Sequence, residues 1–340
     1  MGKIVTFGEV MLRLAPQGYL KLFQNGLLEA SFGGGEANVA VSLANFGKEA
    51  VFVTKLPDNE VGQAAINDLR YFGVDTGRIV RGGERVGIYY LETGASQRPS
   101  KVIYDRAHPS ISRATAADFD WEEIFRGAEW FHFTGITPAL GSNVAEACLS
   151  ACREAKRQGL TVSCDLNYRK KLWTTEEAGR CMAALMEYVD VCIANEEDAE
   201  KVFGIKAENT DITGGKLNRD GYREVARRLA DRFHFKYVAI TLRTSLSASD
   251  NMWAAMLCDG EGYYFSKNYD VHIVDRVGGG DSFGAGLIYG LTEQMGPQEA
   301  VEFAAAASCL KHSIKGDYNR VTVAEVMGLA GGDGSGRVQR

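Results

Sequence analysis

Short apolar runs alternate with helical patterns along almost the whole of this 340-residue chain, and that alternation leaves few folds open. Lys3–Gly8, Val51–Thr54, Glu129–Thr134, Leu160–Asp165, Val189–Ala194 and Lys236–Leu242 are rich in Val, Ile and Phe, as buried strands are. Between them Glu36–Phe46, Val61–Phe72, Asn143–Gln158, Thr175–Tyr188, Asn195–Phe203 and Tyr222–Phe233 carry helical periodicity. Strand, helix, strand in that order makes βαβ units, so the pattern predicts an α/β fold whose mostly parallel sheet is covered on both faces. Such folds bind ligands beyond the carboxyl ends of their strands.

Two segments break the rhythm. Val10–Phe32 and Arg85–Tyr104 contain short alternating strands with polar faces, Val86-Gly-Ile-Tyr-Tyr-Leu91 among them, and suit a small separate sheet or lid. The expected division is therefore a core of residues 1–9, 33–84 and 105–328, a β-rich lid of 10–32 and 85–104, and a flexible glycine-rich tail of 329–340. The net charge of −6 disfavours a nucleic-acid partner, because a phosphate backbone requires a basic face. No apolar run approaches the roughly 20 residues of a membrane span, and strand-like sequence starts at Lys3 without a leader peptide, so the expected location is cytoplasmic. The seven cysteines form no CxxC pair and no zinc-type spacing with the five histidines, which suits reduced core thiols and no structural metal.

Residues 274–289 carry the strongest chemical signal. Gly278, Gly279 and Gly280 end in Asp281, and a small-residue helix begins there. Glycines permit a tight loop, and the orphan N–H groups of the helix start, with its positive dipole end, make an anion site. An acidic residue at the mouth of that site repels an anion unless it has a task. Taking the proton of an alcohol that attacks a phosphate is such a task, although an N-cap Asp after a flexible loop suits the same residues. No G-x-G-x-x-G turn follows the first strand, and no Gly-Lys-Ser/Thr occurs, which disfavours a dinucleotide-binding dehydrogenase and a P-loop kinase.

Phe32-Gly-Gly-Gly-Glu-Ala-Asn-Val-Ala40 resembles the N-terminal signature of the ribokinase-like (phosphofructokinase-B type) carbohydrate kinases. Asp275-Arg-Val-Gly-Gly-Gly-Asp281-Ser-Phe-Gly-Ala-Gly286 resembles their C-terminal signature. The resemblance covers roughly residues 3–327. It implies a three-layer α/β/α core with a β-sheet lid often used for dimerisation, and phosphorylation of a sugar alcohol by ATP with Mg2+.

Three further stretches resemble the 2-keto-3-deoxygluconate kinase branch of that family: Val102-Ile-Tyr-Asp-Arg106, Thr134-Gly-Ile-Thr-Pro-Ala-Leu140 and Asp165-Leu-Asn-Tyr-Arg-Lys-Lys-Leu-Trp173. By that resemblance Arg106 and Arg169 meet a substrate carboxylate, which a planar guanidinium can bind bidentately; a surface ion pair is the alternative for either arginine alone. Gly34, Tyr89, Tyr104, Ile136 and Asp317 join them around the sugar acid, with Asp281 as base and Gly278–Gly280 as anion hole. Asn167, Arg169, Asn195, Thr241, Arg243, Ser245, Gly278 and Gly280 are the expected ATP contacts. No residue is expected to ligate a metal directly. Asn195 and Asp198 stand at the family's Asn-x-x-Glu motif, which organises magnesium and its water, and they equally suit a helix N-cap with an acidic first turn.

The chain departs from the family at Pro57, at Arg276, and in Thr241–Asp250, where a glycine-containing nucleotide loop is usual. Arg276 either adds positive charge beside the phosphates or faces solvent. Two rival readings remain: a kinase of a neutral sugar such as fructose or ribose, in which both arginines would lack an anionic partner, and a non-catalytic sugar sensor.

Overall fold

In a computed structural model of the protein, residues 2–206 and 219–334 are described. The main sheet runs Ala50–Val53, Lys3–Phe7, Ala128–Thr134, Thr161–Asp165, Val191–Asn195, Tyr237–Ser245, all parallel. It then continues antiparallel through Asp250–Cys258, which pairs with both Tyr263–Phe265 and Tyr269–His272. The alternation of apolar runs anticipated the parallel part. The antiparallel end follows a short turn after Ser245, too short for the helical crossover a parallel neighbour needs.

Side chains leave these strands alternately to the two faces. Ile4, Phe52, Trp130 and Ile193 pack in one apolar cluster with the helices Gly35–Asn45, Glu60–Tyr71, Gly279–Thr292 and Pro297–Lys311. Val5, Phe7, Phe131, Phe133 and Cys192 pack in the other, with Ser142–Arg157, Thr175–Met186 and Arg219–Phe233. Two clusters separated by one sheet make the three layers, and the fold is the ribokinase-like α/β architecture. All seven cysteines are free; Cys148 and Cys152 share the buried face of Ser142–Arg157.

A second sheet of four strands stands apart, in the order Glu29–Gly33, Met11–Ala15, Gly87–Glu92, Lys101–Asp105. Its two outer strands leave their far edges unpaired, and Tyr19, Phe23, Leu27 and Ile103 are exposed on it or its loops. At the chain end, the capping box of Thr322 and Glu325 starts a helix, Val323–Ala330, that carries regular structure two residues into the segment expected as tail. Residues 335–340 of that segment lie outside the described residues.

The helix Gly279–Thr292 is apolar nearly all round and is sandwiched by Gly35–Asn45 and Pro297–Lys311. A Cβ on Gly286 would lie 2.8 Å from the Ala304 Cα, so the two later helices approach at backbone distance. That packing leaves the first turn of Gly279–Thr292 little freedom to move. It is the turn that carries Asp281.

Candidate active site

The carboxyl ends of the parallel strands open into a cavity of about 800 Å³ beneath the small sheet. Every residue singled out from the sequence lines it: Gly34, Tyr89, Tyr104, Arg106, Ile136, Asn167, Arg169, Asn195, Asp198, Thr241, Arg243, Ser245, Gly278, Gly279, Gly280, Asp281 and Asp317. The strand-end rule explains most of them. Ile136 follows Thr134, Asn167 and Arg169 follow Asp165, Asn195 closes its strand, and Thr241, Arg243 and Ser245 lie on the last parallel one.

At the centre, Gly278 takes the left-handed conformation with φ +83°, and a Cβ there would lie 2.0 Å from the Asp317 carbonyl oxygen. Only glycine fits. Gly280 differs, since a Cβ on it would meet nothing within 4 Å; the space beside it belongs to the cavity. First-turn N–H groups of this helix have no intrahelical acceptor. Asp281 stands among them, and its Oδ2 accepts from the Asn38 amide at 2.6 Å. Burial pushes its carboxyl up to about 6, with Asp317 adding to the rise and the Asn38 hydrogen bond, Arg169 and Lys311 opposing it. The N-terminal glycine motif is therefore the partner of the C-terminal one. Asn38 of the first fixes the carboxylate of the second, and Asn38 Oδ1 in turn accepts from Gly34 N–H at 3.2 Å.

At the end beneath the small sheet, Arg106 is not free. One nitrogen, Nη2, is hydrogen-bonded to buried Glu9, while its Nε and the other Glu9 oxygen have no partner among the described residues. Arg106 and Lys171 both lie over the Tyr104 ring, at 5.4 and 5.8 Å from its centroid. Asp317 is also engaged. Its carboxylate accepts from the Tyr89 hydroxyl at 2.6 and 2.7 Å and from Arg13 at 2.7 Å. A second Arg13 nitrogen donates to Asp275 at 2.5 Å, and Asp275 also accepts from Val277 N–H and Gly316 N–H. Burial works against the Arg13 charge, but the two carboxylates outweigh it and hold its pKa above the usual range.

At the other end the cavity is lined by Arg243, Arg276, Trp253 and His312. Arg243 and Arg276 face one another closely enough that, after burial, mutual repulsion is what lowers the Arg276 pKa. Arg276 is half-buried in the cavity wall, not out in solvent. The buried indole N–H of Trp253 has no acceptor. His312 lies 5.1 Å from it, ring to ring, and burial lowers the imidazole to about 4, so it is neutral. Two close cations, an orphan donor and a bare helix N-terminus fit a polyphosphate carrying a planar heterocycle. Between the two ends, Asn195 Oδ1 accepts from Glu197 and Asp198 N–H, so it is the N-cap of Glu196–Phe203. Asp198 accepts from Tyr168 N–H, and burial raises its carboxyl to about 6. Among the described residues no group of three or more His, Cys, Asp or Glu side chains could hold a metal ion.

Sequence reasoning missed Glu9, Arg13, Asn38, Lys311, Trp253 and His312. For Arg13 a signal existed: in Met11-Leu-Arg-Leu-Ala15 strict alternation places it on the face of Ala15, and both are buried. Asn38 stands in the N-terminal glycine motif, but its contact with Asp281, like those of Glu9 with Arg106 and Trp253 with His312, joins distant segments that no local pattern links.

The sequence matches the pfkB family carbohydrate kinases over residues 1–322. A 2-dehydro-3-deoxygalactonokinase of Haloferax volcanii is 32% identical over 332 residues, covering 97% of this chain and 98% of that protein. A 2-dehydro-3-deoxygluconokinase of Bacillus subtilis is 27% identical, covering 94% and 93%. The crystal structure of 2-dehydro-3-deoxygluconokinase from Thermotoga maritima superposes with a TM-score of 0.94 at 53% identity, covering 98% of this chain and all of that one.

Replacing Arg13 by Met leaves Asp275 and Asp317 buried without their cation. The expected loss of folding stability is about 3–5 kcal/mol, read as a lower midpoint in urea. An unchanged midpoint would remove Arg13 from its place as the tie between the two sheets.

Proposed function

The chain belongs to the pfkB family of carbohydrate kinases, and on that premise we propose that it phosphorylates 2-keto-3-deoxygluconate (2-dehydro-3-deoxygluconate) at the 6-hydroxyl, with ATP as donor. The observation that carries the reading is Asp281. It is half-buried at a bare helix N-terminus, fixed by Asn38, and raised to about 6, close enough to neutral pH to accept and return a proton. The hydroxyl proton passes to Asp281 while the oxygen forms its bond to the γ-phosphorus and the bond to ADP breaks. First-turn N–H groups, Arg243 and Arg276 face the charge on the transferring group. ATP spans the end lined by Thr241, Arg243, Ser245, Trp253 and His312. Asn195 and Asp198, at the cavity wall between the two ends, would hold a nucleotide-borne magnesium ion through water, and the ion would neutralise phosphate charge there.

The acid is recognised by Arg106 and Arg169, which reach the cavity from opposite sides, one from the small sheet and one from the core. The cationic side chains Arg106, Arg169 and Lys171 border this end, and a sugar carboxylate adds an anion where Glu9 answers Arg106 alone. The relatives named above act on keto-deoxy sugar acids of both the gluconate and galactonate series; the 53% identical structure favours the gluconate. The unpaired edges and exposed apolar side chains of the small sheet support a dimer formed through it.

Asp281→Asn keeps size and loop geometry but cannot take the proton, so turnover should fall by about 10²–10⁴; near-wild-type turnover would sink the mechanism. Because the base must be ionised, kcat should rise as pH increases through about 6. Arg106→Met or Arg169→Met should raise KM for the keto-deoxy acid about ten- to hundredfold, and Arg106→Met should leave KM for ATP nearly unchanged. A wild-type preference for fructose or ribose in an ADP-release assay would overturn the clamp. Light scattering at micromolar concentration should give at least a dimer, and a monomer would refute assembly through the lid.

A further inference from the structure

Lys311, the last residue of the Pro297–Lys311 helix, is fully buried, and the chemistry above does not use it. Its ammonium donates to one acceptor, the Ile314 carbonyl at 3.1 Å, although it could donate three times. Among the described residues it forms no ion pair within 4.0 Å. Burial pulls its pKa below the usual lysine value, and the nearby carboxylates only partly restore it. A cation held on those terms costs stability, and an apolar side chain of similar length would cost less. The fold gains little from the charge.

The ammonium does have a particular place. Its Cε lies 3.2 Å from where a Cβ on Gly278 would stand, directly behind the first glycine of the loop. We propose that Lys311 is a positioning residue for phosphoryl transfer: its ammonium, behind Gly278, keeps Asp281 ionised and adds positive potential to the loop that receives the transferred group. The proposal rests on Asp281 as the base.

The surrounding charges set the sign. Lys311 faces Asp275, Asp317, Asp281 and Arg13. Asp281 is faced by the Asn38 amide from the Gly35–Asn45 helix and by Asp317 from the loop after Lys311, with Arg169 and Asp165 facing it from the end of the Thr161–Asp165 strand. His312 beside Lys311 is neutral, and Arg276 and Arg243 face it. Three carboxylates thus share two buried cations, Arg13 and Lys311. Arg13 is already committed to Asp275 and Asp317 by direct contact. Removing Lys311 takes away positive charge that opposes the rise at Asp281, so the Asp281 carboxyl moves up.

The test is the pH dependence of kcat in Lys311→Met. The acidic limb should move to higher pH by about half a unit or more, with KM for sugar acid and ATP within about twofold of wild type. The thermal midpoint should be unchanged or higher. A purely structural lysine predicts the reverse, a lower midpoint with the limb where it was, and that result overturns the proposal. So does a wild-type limb at wild-type kcat. Lys311→Gln repeats the measurement if the Met variant does not fold. Failure of both to fold overturns the premise that the fold does not need the charge. Asp281→Asn separates the two readings. If it retains turnover, the base assignment fails; if it is inactive while Lys311→Met keeps its limb, only the role of Lys311 fails.

Discussion

A guanidinium carried by the small sheet, Arg13, sits between two carboxylates of the core, and the site depends on that contact. Asp275 belongs to the loop leading into Gly278, and Asp317 to the loop whose carbonyl crowds Gly278. One buried cation therefore fixes three things at once: the height of the lid, the path into the anion hole, and the loop that closes behind it. Tyr89, from the next lid strand, adds its hydroxyl to the same Asp317 carboxylate. Buried charge pairs of this kind add little net stability over apolar packing. They do demand one geometry, because any other leaves a charge unpaired.

The same economy of charge governs Asp281. A carboxylate at the mouth of an anion site is useful only if it can exist both ionised and protonated near neutral pH. Burial alone would push its carboxyl higher still. The Asn38 amide, Arg169 and Lys311 oppose burial, and the balance falls at about 6. The two glycine-rich motifs, distant in sequence, are halves of this device. One supplies the carboxylate and the bare N–H groups, the other the amide that holds the carboxylate still.

At the sugar end the arrangement is more open. Arg106 is held by Glu9 through a single nitrogen, with its Nε and one Glu9 oxygen unpaired in a buried setting. An unsatisfied buried donor is costly unless a ligand completes it. A carboxylate offers the missing acceptor; a sugar hydroxyl is a weaker one. In the proposed function, specificity for an acid rests on that deficit as much as on the charge itself.

The sequence by itself determined the parallel sheet, the position of the cavity at its carboxyl ends and the identity of its glycine loops. These depend on local facts: continuous apolar runs, helical periodicity, and backbone positions that only glycine can occupy. It also brought Arg106, Arg169, Asp317 and Tyr89 to one place through family resemblance. The tertiary structure decided what those residues touch. Asp317 is held by Arg13 and Tyr89, and Arg106 leans on Glu9. Such pairings join segments tens to hundreds of residues apart, and no local pattern encodes them. Lys311 shows the limit most plainly. In sequence it is a lysine at the end of a helix, where solvent and the helix dipole would suffice to explain it. Only the packing around it turns it into a buried charge behind an anion hole.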